Sequence, residues 1–422
     1  MKITVLIPTK DRSLYLKHTL MTCITQDYAN AEFIVLDDAS SDDTAIVVTQ
    51  IIKLDKRVRL VRNEINLGMR ANFENGLNLV NEGYVLFLGG DDGLMPNALR
   101  VISELIRSTG TPLLTWPTHS YFYRGARSGS GQLIYRRGTK RSELNHIWLD
   151  SKEFLSRQSK ELFYVSDIKC PMIYVKGVAS IELIRDVKSK SEDNSFYHCS
   201  TPDGYSGLIL SSMVEKFLFT EKVLTLHGVS PTSAGLSYVQ GGDSGQKVSR
   251  AFFQNSKNIL MHQRLGSCEY SPLISLMTAD FLFTVEDKSQ LSFEVSAQSL
   301  IEKSLDELCD GLFNEQNIQR ELQILKVVSK SFGILDDFHS LLNSKRRNFR
   351  CTLEGDAISS RQIYLNADKE RVENVYEASL WLANKNPLHV LFFKGRLINA
   401  LLNSIQYKLL SFKKGRRLSE FL

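Results

Sequence analysis

The first 117 residues alternate between short apolar segments and helical segments, and this alternation constrains the fold of the 422-residue chain more than any other feature. Strand-like segments separated by helical patterns of about ten to fifteen residues are typical of βαβ units and predict a mainly parallel sheet. Ligands of such sheets bind beyond the carboxyl ends of the strands. The predicted strands are Ile3–Pro8, Phe33–Asp37, Val58–Arg62, Tyr84–Leu88 and Pro112–Trp116, and the predicted helices are Leu14–Gln26, Thr44–Leu54, Arg70–Val80 and Pro96–Ser108.

The rest of the chain divides into an irregular part and a helical part. Residues 118–150 combine glycines with many basic residues, which predicts a loop or a small hairpin insertion. Later segments predict two helices, 151–158 and 177–187, and extended structure over Phe217–Leu226. From about Gln246 onward apolar residues recur at helical spacing, and Pro and Gly become rare.

A glycine-rich stretch, Gln240–Gly245, marks a domain boundary near residues 235–245. The length of the chain also favours two domains over one. We therefore expect an α/β domain with a mainly parallel central sheet over residues 1–240 and a mostly α-helical domain over residues 241–422.

Composition and charge narrow the class of protein. Apolar residues make up 43% of the chain and charged residues 23%, as in soluble globular proteins. The net charge of +5 permits anionic ligands but does not indicate a nucleic-acid partner. The six scattered cysteines contain no C-x-x-C pair, which favours a reducing compartment over a disulfide framework or a zinc site. No export signal or spanning segment is recognisable, so we expect a cytoplasmic location.

Polar side chains follow four consecutive predicted strands. Taken singly, each group is explained by a turn or a helix cap. Because the carboxyl ends of parallel strands meet at one edge of a sheet, their combination favours a ligand site there. The candidates are Pro8, Thr9 and Arg12 after the first strand, Asp37 and Asp38 after the second, Asn66 and Gly68 after the third, and Asp91 and Asp92 after the fourth.

The acidic pair Asp91-Asp92 follows the fourth strand through Gly89 and Gly90. Two adjacent carboxylates repel each other unless a cation lies between them or one of them is protonated. Carboxylate oxygens suit Mg²⁺ or Mn²⁺, and Mg²⁺ commonly bridges one or two carboxylates to substrate phosphates. The alternative is a solvated loop whose second acid helps to start the helix after Pro96.

Four motifs, in order, resemble those of the family 2 inverting glycosyltransferases with the GT-A fold. Ile7–Arg12 is similar to the first-strand signature of that family and Val35–Thr44 to the second. Asn66–Gly76 resembles the Asn-x-Gly segment with its helix, and Asp91–Pro96 the metal-binding acidic motif. The resemblance implies transfer of a sugar, with inversion, from a nucleotide-sugar to a hydroxyl of a glycan or a lipid-linked glycan.

The resemblance also implies roles for individual residues. The nucleotide pocket would be lined by Pro8, Thr9 and Arg12, and the base or ribose would lie near Asn66 and Gly68. Asp38, with Asp37 beside it, would accept a hydrogen bond from the ring N–H of a uracil- or thymine-type base. Asp91 would hold Mn²⁺ or Mg²⁺ on the diphosphate, with Asp92 adjacent. The chain departs from the family where Gly89 or Gly90 replaces the first acid of D-x-D, so the register of this motif is open by one residue.

Two residues further along the chain complete the predicted site. Asp203 follows Thr201-Pro202 and precedes a predicted helix, so taken alone it is a helix cap. In the resembling family an acid in this place is the catalytic base, which takes the proton of the attacking acceptor hydroxyl. His227, at the end of a later strand, either reaches the metal or the diphosphate, or only satisfies backbone groups.

The C-terminal tail combines an apolar helical stripe with basic residues and has no acid between positions 394 and 417. Such a helix can lie on an anionic membrane surface, here the inner face, or dock on its own domain or a dimer partner. The apolar residues are Leu391, Ile398, Leu402, Ile405, Leu409 and Phe412, and the basic ones are Lys394, Arg396, Lys408, Lys413, Lys414, Arg416 and Arg417.

Two other functions compete with glycosyl transfer. A sugar nucleotidyltransferase would also bind nucleotides on a related sheet, but the segment Pro8–Arg12 lacks the glycine-rich signature that such an enzyme needs. A catalytically inactive scaffold with the same fold is favoured only by the two glycines before Asp91, and the presence of Asp203 argues against it.

Overall fold

The computed structural model describes residues 1–137, 145–233, 238, 253–254, 259–310, 312–348, 353, 355–411 and 414–422. The predicted boundary between residues 240 and 241 lies outside these residues, as do Phe412 and Lys413 of the predicted tail.

Short apolar segments form strands and longer amphipathic segments form helices, as their periodicities predict. The strands are β1 (Ile3–Thr9), β2 (Ala31–Asp37), β3 (Val58–Arg62), β4 (Tyr84–Phe87), β5 (Gly93–Leu94), β6 (Leu113–Thr115), β7 (Thr118–Phe122), β8 (Gln132–Arg136), β9 (His146–Asp150), β10 (Gly177–Ser180), β11 (Lys216–Thr220), β12 (Thr225–Val229), β13 (Arg346–Asn348), β14 (Ala357–Ile358), β15 (Gln362–Asn366) and β16 (Lys414–Arg417). The helices are α1 (Ser13–Ile24), α2 (Thr44–Leu54), α3 (Met69–Asn78), α4 (Ala98–Thr109), α5 (Ser151–Glu161), α6 (Ile181–Lys188), α7 (Pro202–Ser212), α8 (Ile274–Lys288), α9 (Ala297–Cys309), α10 (Glu315–Ser331), α11 (Leu335–Ser344), α12 (Val375–Asn384), α13 (Pro387–Phe393) and α14 (Leu397–Ser411).

The central sheet has eight strands in the order β3-β2-β1-β4-β10-β6-β11-β9. Strands β1 to β4 are parallel, and only β10 and β9 run against the other strands of this sheet. The predicted architecture, a mainly parallel central sheet followed by a mostly helical segment, is confirmed. The ends of β1, β2, β3 and β4 therefore meet at one edge, where the candidate residues lie.

A second sheet links this edge to the C-terminal part of the chain. Its order is β14-β15-β8-β7-β12-β5. The strands of residues 118–136 realise the predicted hairpin insertion, but β14 and β15 fall in the region predicted to be mostly helical. They are strands because they find a distant partner: β15 pairs with β8, with Gln362 opposite Arg136.

The prediction of a helix over residues 177–187 is wrong for its first four residues. Gly177–Ser180 forms β10, which is buried between β4 and β6, and the helix starts only at Ile181. A Cβ at Gly177 would lie 2.5 Å from the backbone oxygen of Met172, so this glycine permits close passage of two chain segments. Ser180 then caps α6 by accepting a hydrogen bond from the amide of Leu183.

The helical part and the sheet share one apolar core. A buried cluster runs from the sheet residues Leu6 and Phe87 through Tyr205 of α7 to Phe281 of α8 and on into α9, α10 and α11. A separate cluster lies on the other face of the sheet, under α1, α2 and α4. Within the part of the chain that the structure describes, the helices are too short or too polar to cross a bilayer.

Candidate active site

Asp91 lies just beyond β4 and faces the residue before α1 and the segment after β12. Its Oδ2 accepts hydrogen bonds from Arg12 Nη1 at 2.6 Å and from the hydroxyls of Ser230 and Ser233 at 2.6 and 2.8 Å. Burial alone would raise the pKa of this carboxyl, but the Arg12 guanidinium and the two hydroxyls outweigh burial, so the pKa is lowered. Asp91 is therefore an ionised carboxylate paired with a cation.

Asp92 is fully buried and has different hydrogen-bond partners. Its Oδ2 accepts the Gly89 amide at 2.8 Å and its Oδ1 accepts the Gly228 amide at 2.8 Å. Burial, and after it the charge of Asp91, raise the pKa of Asp92 to about 8. Because both of its oxygens bind backbone amides, Asp92 ties the loop after β4 to β12, and Asp91 is the acid that faces the cluster of polar side chains.

Glycines make this close packing possible. A Cβ at Gly228 would overlap the carbonyl oxygen of Asp91. A Cβ at Gly89 would lie 2.5 Å from the Tyr174 hydroxyl oxygen and 2.6 Å from Asp92 Oδ2. If Asp91 is the second acid of D-x-D, the first would stand at Gly89, where Tyr174 and Asp92 occupy the space that a side chain would need.

Tyr174 is held in this place by an unusual backbone. The next residue, Val175, has φ of 64°, a conformation that β-branched residues rarely adopt. Its amide donates to the Phe87 carbonyl of β4 at 2.8 Å, and the Phe87 amide donates to Ile173. Backbone strain of this kind persists only where the surrounding structure enforces it, and it is concentrated at functional sites.

The end of β1 contributes Pro8, Thr9 and, just beyond it, Arg12. Pro8 is partly buried and lies opposite Leu36 of β2. Thr9 Oγ1 is buried and has no hydrogen-bond partner among the described residues. Arg12 donates a further hydrogen bond to the carbonyl oxygen of Thr232 at 2.8 Å. This strand end therefore supplies one cation and one hydroxyl with unused hydrogen-bonding capacity.

Asp38 binds the loop that follows β3. Its Oδ1 accepts hydrogen bonds from Asn63 Nδ2 at 2.9 Å and from the Leu67 amide at 2.8 Å, and its Oδ2 accepts the Gly68 amide at 2.9 Å. Since each carboxylate oxygen can accept about two hydrogen bonds, Oδ2 retains capacity for one more donor. Asp38 thus shapes the loop and can still accept a hydrogen bond from a ligand.

The neighbours of Asp38 have different environments. Asp37 is fully buried, its Oδ1 accepts the Ser40 amide at 3.0 Å, and Arg62 lies 3.3 Å from its Oδ2 without hydrogen-bond geometry. Asn66 is exposed and accepts the Gly68 amide at 3.2 Å. Gly68 has φ of 85° and precedes α3, a conformation that favours glycine. Asp37 and the buried Gly68 therefore support the strand end from within, and Asn66 lies at its surface.

Asp203 lies in the first turn of α7. The N-cap residue Thr201 makes no side-chain capping bond, and Asp203 Oδ1 is buried without a partner among the described residues. Burial raises the pKa of Asp203, against the opposing effects of the Gly204 amide and the Tyr164 hydroxyl. A buried carboxyl with a raised pKa and an unpaired oxygen can take up a proton from a neighbouring group.

His227 lies in β12, and its side chain reaches solvent while its strand neighbours are buried. Desolvation lowers the pKa of His227, and the charges of Asp91 and Asp203 oppose this effect. Both acids therefore lie within electrostatic reach of the histidine, so the structure brings Asp91, Asp203 and His227 into one region. Sequence reasoning missed Ser230, Ser233 and Tyr174, since no motif distinguishes a serine or tyrosine that contacts an acid distant in sequence.

The protein offers few ligands for a divalent cation in this region. No three His, Cys, Asp or Glu side chains converge on a common point within the described ranges. Asp92 is already bound to two amides, but Oδ1 of Asp91 receives no hydrogen bond from described residues. Because Mg²⁺ is usually held by one or two carboxylates together with substrate phosphates, the residues present would suit only a cation that a diphosphate brings, and Asp91 and His227 are the residues that would hold it.

The sheet topology brings the polar and acidic strand ends together at one edge. Residues 4–160 match the family model described as Glycosyl transferase family 2.

The similar proteins with known names match only part of their own length. A GalNAc(5)-diNAcBac-PP-undecaprenol beta-1,3-glucosyltransferase from Campylobacter jejuni is 36% identical over 104 residues, which is 24% of this chain and 34% of that protein. The UDP-Glc:alpha-D-GlcNAc-diphosphoundecaprenol beta-1,3-glucosyltransferase WfgD from Escherichia coli is 27% identical over 107 residues, 25% of this chain and 42% of that protein. The match thus spans about a third of the first relative and less than half of the second.

Among solved structures, residues 1–349 of S. aureus TarS in complex with UDP are similar to this chain at 15% identity and a TM-score of 0.43. The similarity covers 85% of this chain and 95% of the TarS chain.

Proposed function

We propose that this chain transfers a sugar from a UDP- or dTDP-sugar to a hydroxyl of a glycan or a lipid-linked glycan, with inversion at the anomeric carbon. The match of residues 4–160 to a glycosyltransferase family model supports the reaction class. The names of two relatives support the choice of substrates, since both describe transfer to a glycan on an undecaprenyl diphosphate and one names UDP-Glc as donor.

The observation that carries the proposal is the state of Asp203. Its carboxyl has a buried, unpaired oxygen and a raised pKa, and it lies within electrostatic reach of His227 on the strand next to Asp91. In the proposed step the acceptor oxygen forms a bond to the anomeric carbon while Asp203 takes the hydroxyl proton. The bond from that carbon to the diphosphate breaks, and the nucleoside diphosphate leaves with the electron pair.

The polar edge of the sheet would bind the donor. Arg12 supplies a positive charge beside Asp91, which is useful where a leaving diphosphate gains charge. When bound, Mg²⁺ or Mn²⁺ on Asp91 and His227 would neutralise that diphosphate further. Asp38, with spare capacity on Oδ2, would accept the ring N–H of uracil or thymine, and Thr9 offers a hydroxyl to the nucleotide.

Replacing Asp203 by Asn tests the proposal most directly. Asp203→Asn keeps the shape of the side chain but cannot take the proton, so the turnover rate should fall by roughly two to four orders of magnitude. Donor binding, measured by calorimetry, should be almost unchanged because Asp203 acts on the acceptor. A matched control is Glu182→Gln, since Glu182 also lies in the first turn of a helix but is exposed on α6.

The pH dependence of turnover gives a second test. Because the pKa of Asp203 is raised, the base becomes ionised only above the usual range of an aspartate, so turnover should rise with pH through that raised pKa. This rise of turnover with pH should be absent in Asp203→Asn. NMR of the product settles the stereochemistry: a retained anomeric configuration, or wild-type turnover in Asp203→Asn, would leave Asp203 as a helix-terminal residue only.

A further inference from the structure

The C-terminal helix α14 is amphipathic with its apolar face turned outward. Surface helices normally turn their apolar stripe toward the core and their polar residues toward solvent. In α14 the residues Ile398, Leu402, Ile405 and Leu409 follow the i, i+4, i+7, i+11 spacing of one helical face, and they are 71%, 56%, 56% and 67% exposed. This helix leaves in water the side chains that it would be expected to bury.

The inner face of α14 is small and polar. Ala400 is fully buried, Ser404 accepts a hydrogen bond from the Ile358 amide at 2.8 Å, and Asn403 Nδ2 donates to the Asp356 carbonyl oxygen at 3.1 Å. The outward orientation is therefore fixed by specific contacts with β14 and its flanking residues.

The turn before α14 is fixed by ion pairs. Arg396 binds both carboxylate oxygens of Asp356 at 2.5 Å and Glu370 at 2.6 Å, and Lys394 binds Glu370 at 3.0 Å. Asp356 and Glu370 are buried, so these pairs hold the helix against the second sheet. Lys394 and Arg396, which the sequence placed on a basic membrane-facing stripe, instead serve as internal anchors.

The exposed apolar surface extends beyond α14. Phe392 and Phe393 at the end of α13 are 66% and 80% exposed. Isolated exposed apolar residues are common, but a contiguous group of large ones usually marks an interaction site. We define this group, the outward residues of α14 with Phe392, Phe393 and Leu401, as the α13–α14 apolar surface.

Exposed basic residues lie on α14 and shortly after it in the chain. Lys408 lies on α14 itself, and three residues beyond the helix β16 pairs with β13 to form a two-stranded ribbon that carries Arg346, Lys414 and Arg417, all exposed. No ion pair involving these four residues is found among the described side chains. An apolar surface accompanied by unpaired cations is the composition of a helix that lies in the interface of an anionic bilayer.

The position of α14 relative to the candidate site points the same way. Ser404 of α14 accepts the Ile358 amide of β14, and β14 belongs to the same six-stranded sheet as β12, the strand that carries His227. The second sheet therefore connects the helix to the candidate site. If the acceptor is attached to a lipid, this arrangement would bring its glycan to the site while the helix rests on the bilayer.

We propose that the α13–α14 apolar surface binds an anionic membrane surface and holds the active site against it. The inference rests on the proposed function for its account of the acceptor, but membrane binding itself requires no catalysis. Apolar insertion provides most of the affinity, and Lys408, Arg346, Lys414 and Arg417 provide preference for anionic lipid.

Vesicle flotation of the full chain tests this proposal. The protein should float with vesicles of phosphatidylcholine and phosphatidylglycerol, and less with phosphatidylcholine alone. The triple variant Ile398→Ser, Leu402→Ser, Ile405→Ser should bind the anionic vesicles with an affinity at least about tenfold lower. The matched control is Ile46→Ser with Leu54→Ser, since both side chains are similarly exposed on α2, at 58% and 72%.

Further measurements separate the remaining outcomes. Lys408→Gln with Lys414→Gln should reduce binding to the anionic vesicles only. UDP binding by calorimetry should be the same in the triple variant and the wild type, which shows that folding and the donor site are intact. If the protein ignores anionic vesicles, the proposal is wrong. If light scattering then shows a dimer that the triple variant dissociates, the surface belongs to a second copy of the chain. Vesicle binding without transfer of any sugar would instead overturn only the proposed function.

Discussion

The polar edge of the central sheet and the outer face of α14 depart from the ordinary pattern of burial in opposite directions. The edge buries two adjacent acids, Asp91 and Asp92, and the helix exposes large apolar side chains such as Ile398 and Leu409. At the edge, hydrogen bonds within the chain offset the free-energy cost of burying the two acids. Arg12 and two serine hydroxyls bind Asp91, and two backbone amides bind Asp92. On α14 nothing in the described structure offsets the exposure.

The difference separates two kinds of functional region. A buried charge that the protein itself satisfies is preorganised, and a ligand can use it without a folding change. An apolar surface that the protein leaves uncovered gains free energy only when a partner covers it. The following experiments test each side of this contrast, beginning with the largest expected effect.

Removing the acid at the centre of the edge should have the largest effect. Asp91→Ala takes away the partner of Arg12 and the expected metal ligand, so turnover should fall on the order of a hundredfold to a thousandfold. Asp92→Asn should be measured beside it. Because Asp92 binds backbone amides, this variant should mainly lower the free energy of unfolding, with a smaller loss of turnover than in Asp91→Ala. Full activity of the wild type in EDTA would contradict the metal, though not the role of Arg12.

The second prediction concerns the packing that brings β12 to the acidic loop. A methyl group at Gly228 would overlap the carbonyl oxygen of Asp91, so Gly228→Ala should lower the free energy of unfolding by about 2–4 kcal/mol. Gly129→Ala is the control, since a Cβ there meets no atom within 4 Å. Denaturant unfolding of both variants measures the difference. Equal stability of the two would mean that the loop and β12 are not packed as described.

The third prediction addresses recognition of the base. Asp38→Ala removes a buried acceptor, so binding of UDP or dTDP should weaken by roughly tenfold or more in calorimetry. Because Asp38 also binds the Leu67 and Gly68 amides, a general loss of binding would reflect only the loop. The informative quantity is the preference of UDP over GDP, which the variant should lose. Equal binding of the two nucleotides by the wild type would contradict the role.

The sequence predicted which residues lie at the edge of the sheet better than it predicted the contacts of each side chain. Alternating strands and helices determine where β1 to β4 end, so the positions of Arg12, Asp38 and Asp91 at one edge followed from local pattern alone. The different environments of Asp91 and Asp92 did not, because Asp92 binds the amides of Gly89 and Gly228, and Gly228 is distant in the chain. Long-range contacts of this kind leave no periodic signal.

The same limit applies to the C-terminal part. Helical periodicity located α13 and α14, but the stripe of Ile398, Leu402, Ile405 and Leu409 was compatible with a core-facing helix. Which face turns inward is decided by Asp356 and Glu370, whose pairing with Arg396 cannot be read from spacing. The strands β14 and β15 were missed for the same reason, since β14 pairs with β15, and β15 pairs with β8, which lies more than two hundred residues earlier.

The last prediction has the smallest expected effect and tests the contrast from the side of α14. Leu402→Ser should change the free energy of unfolding by no more than about 0.5 kcal/mol, because a side chain that is 56% exposed loses little packing on replacement. Leu391→Ser on the neighbouring helix α13 is the matched comparison, since Leu391 is fully buried and should cost about 3 kcal/mol or more. Denaturant unfolding without lipid gives both values. If Leu402→Ser costs as much as Leu391→Ser, the outer face of α14 is packed within the protein, and the two regions do not differ in the way described. If only Leu391→Ser is costly, the apolar face contributes nothing to folding, and its free energy is available to a partner.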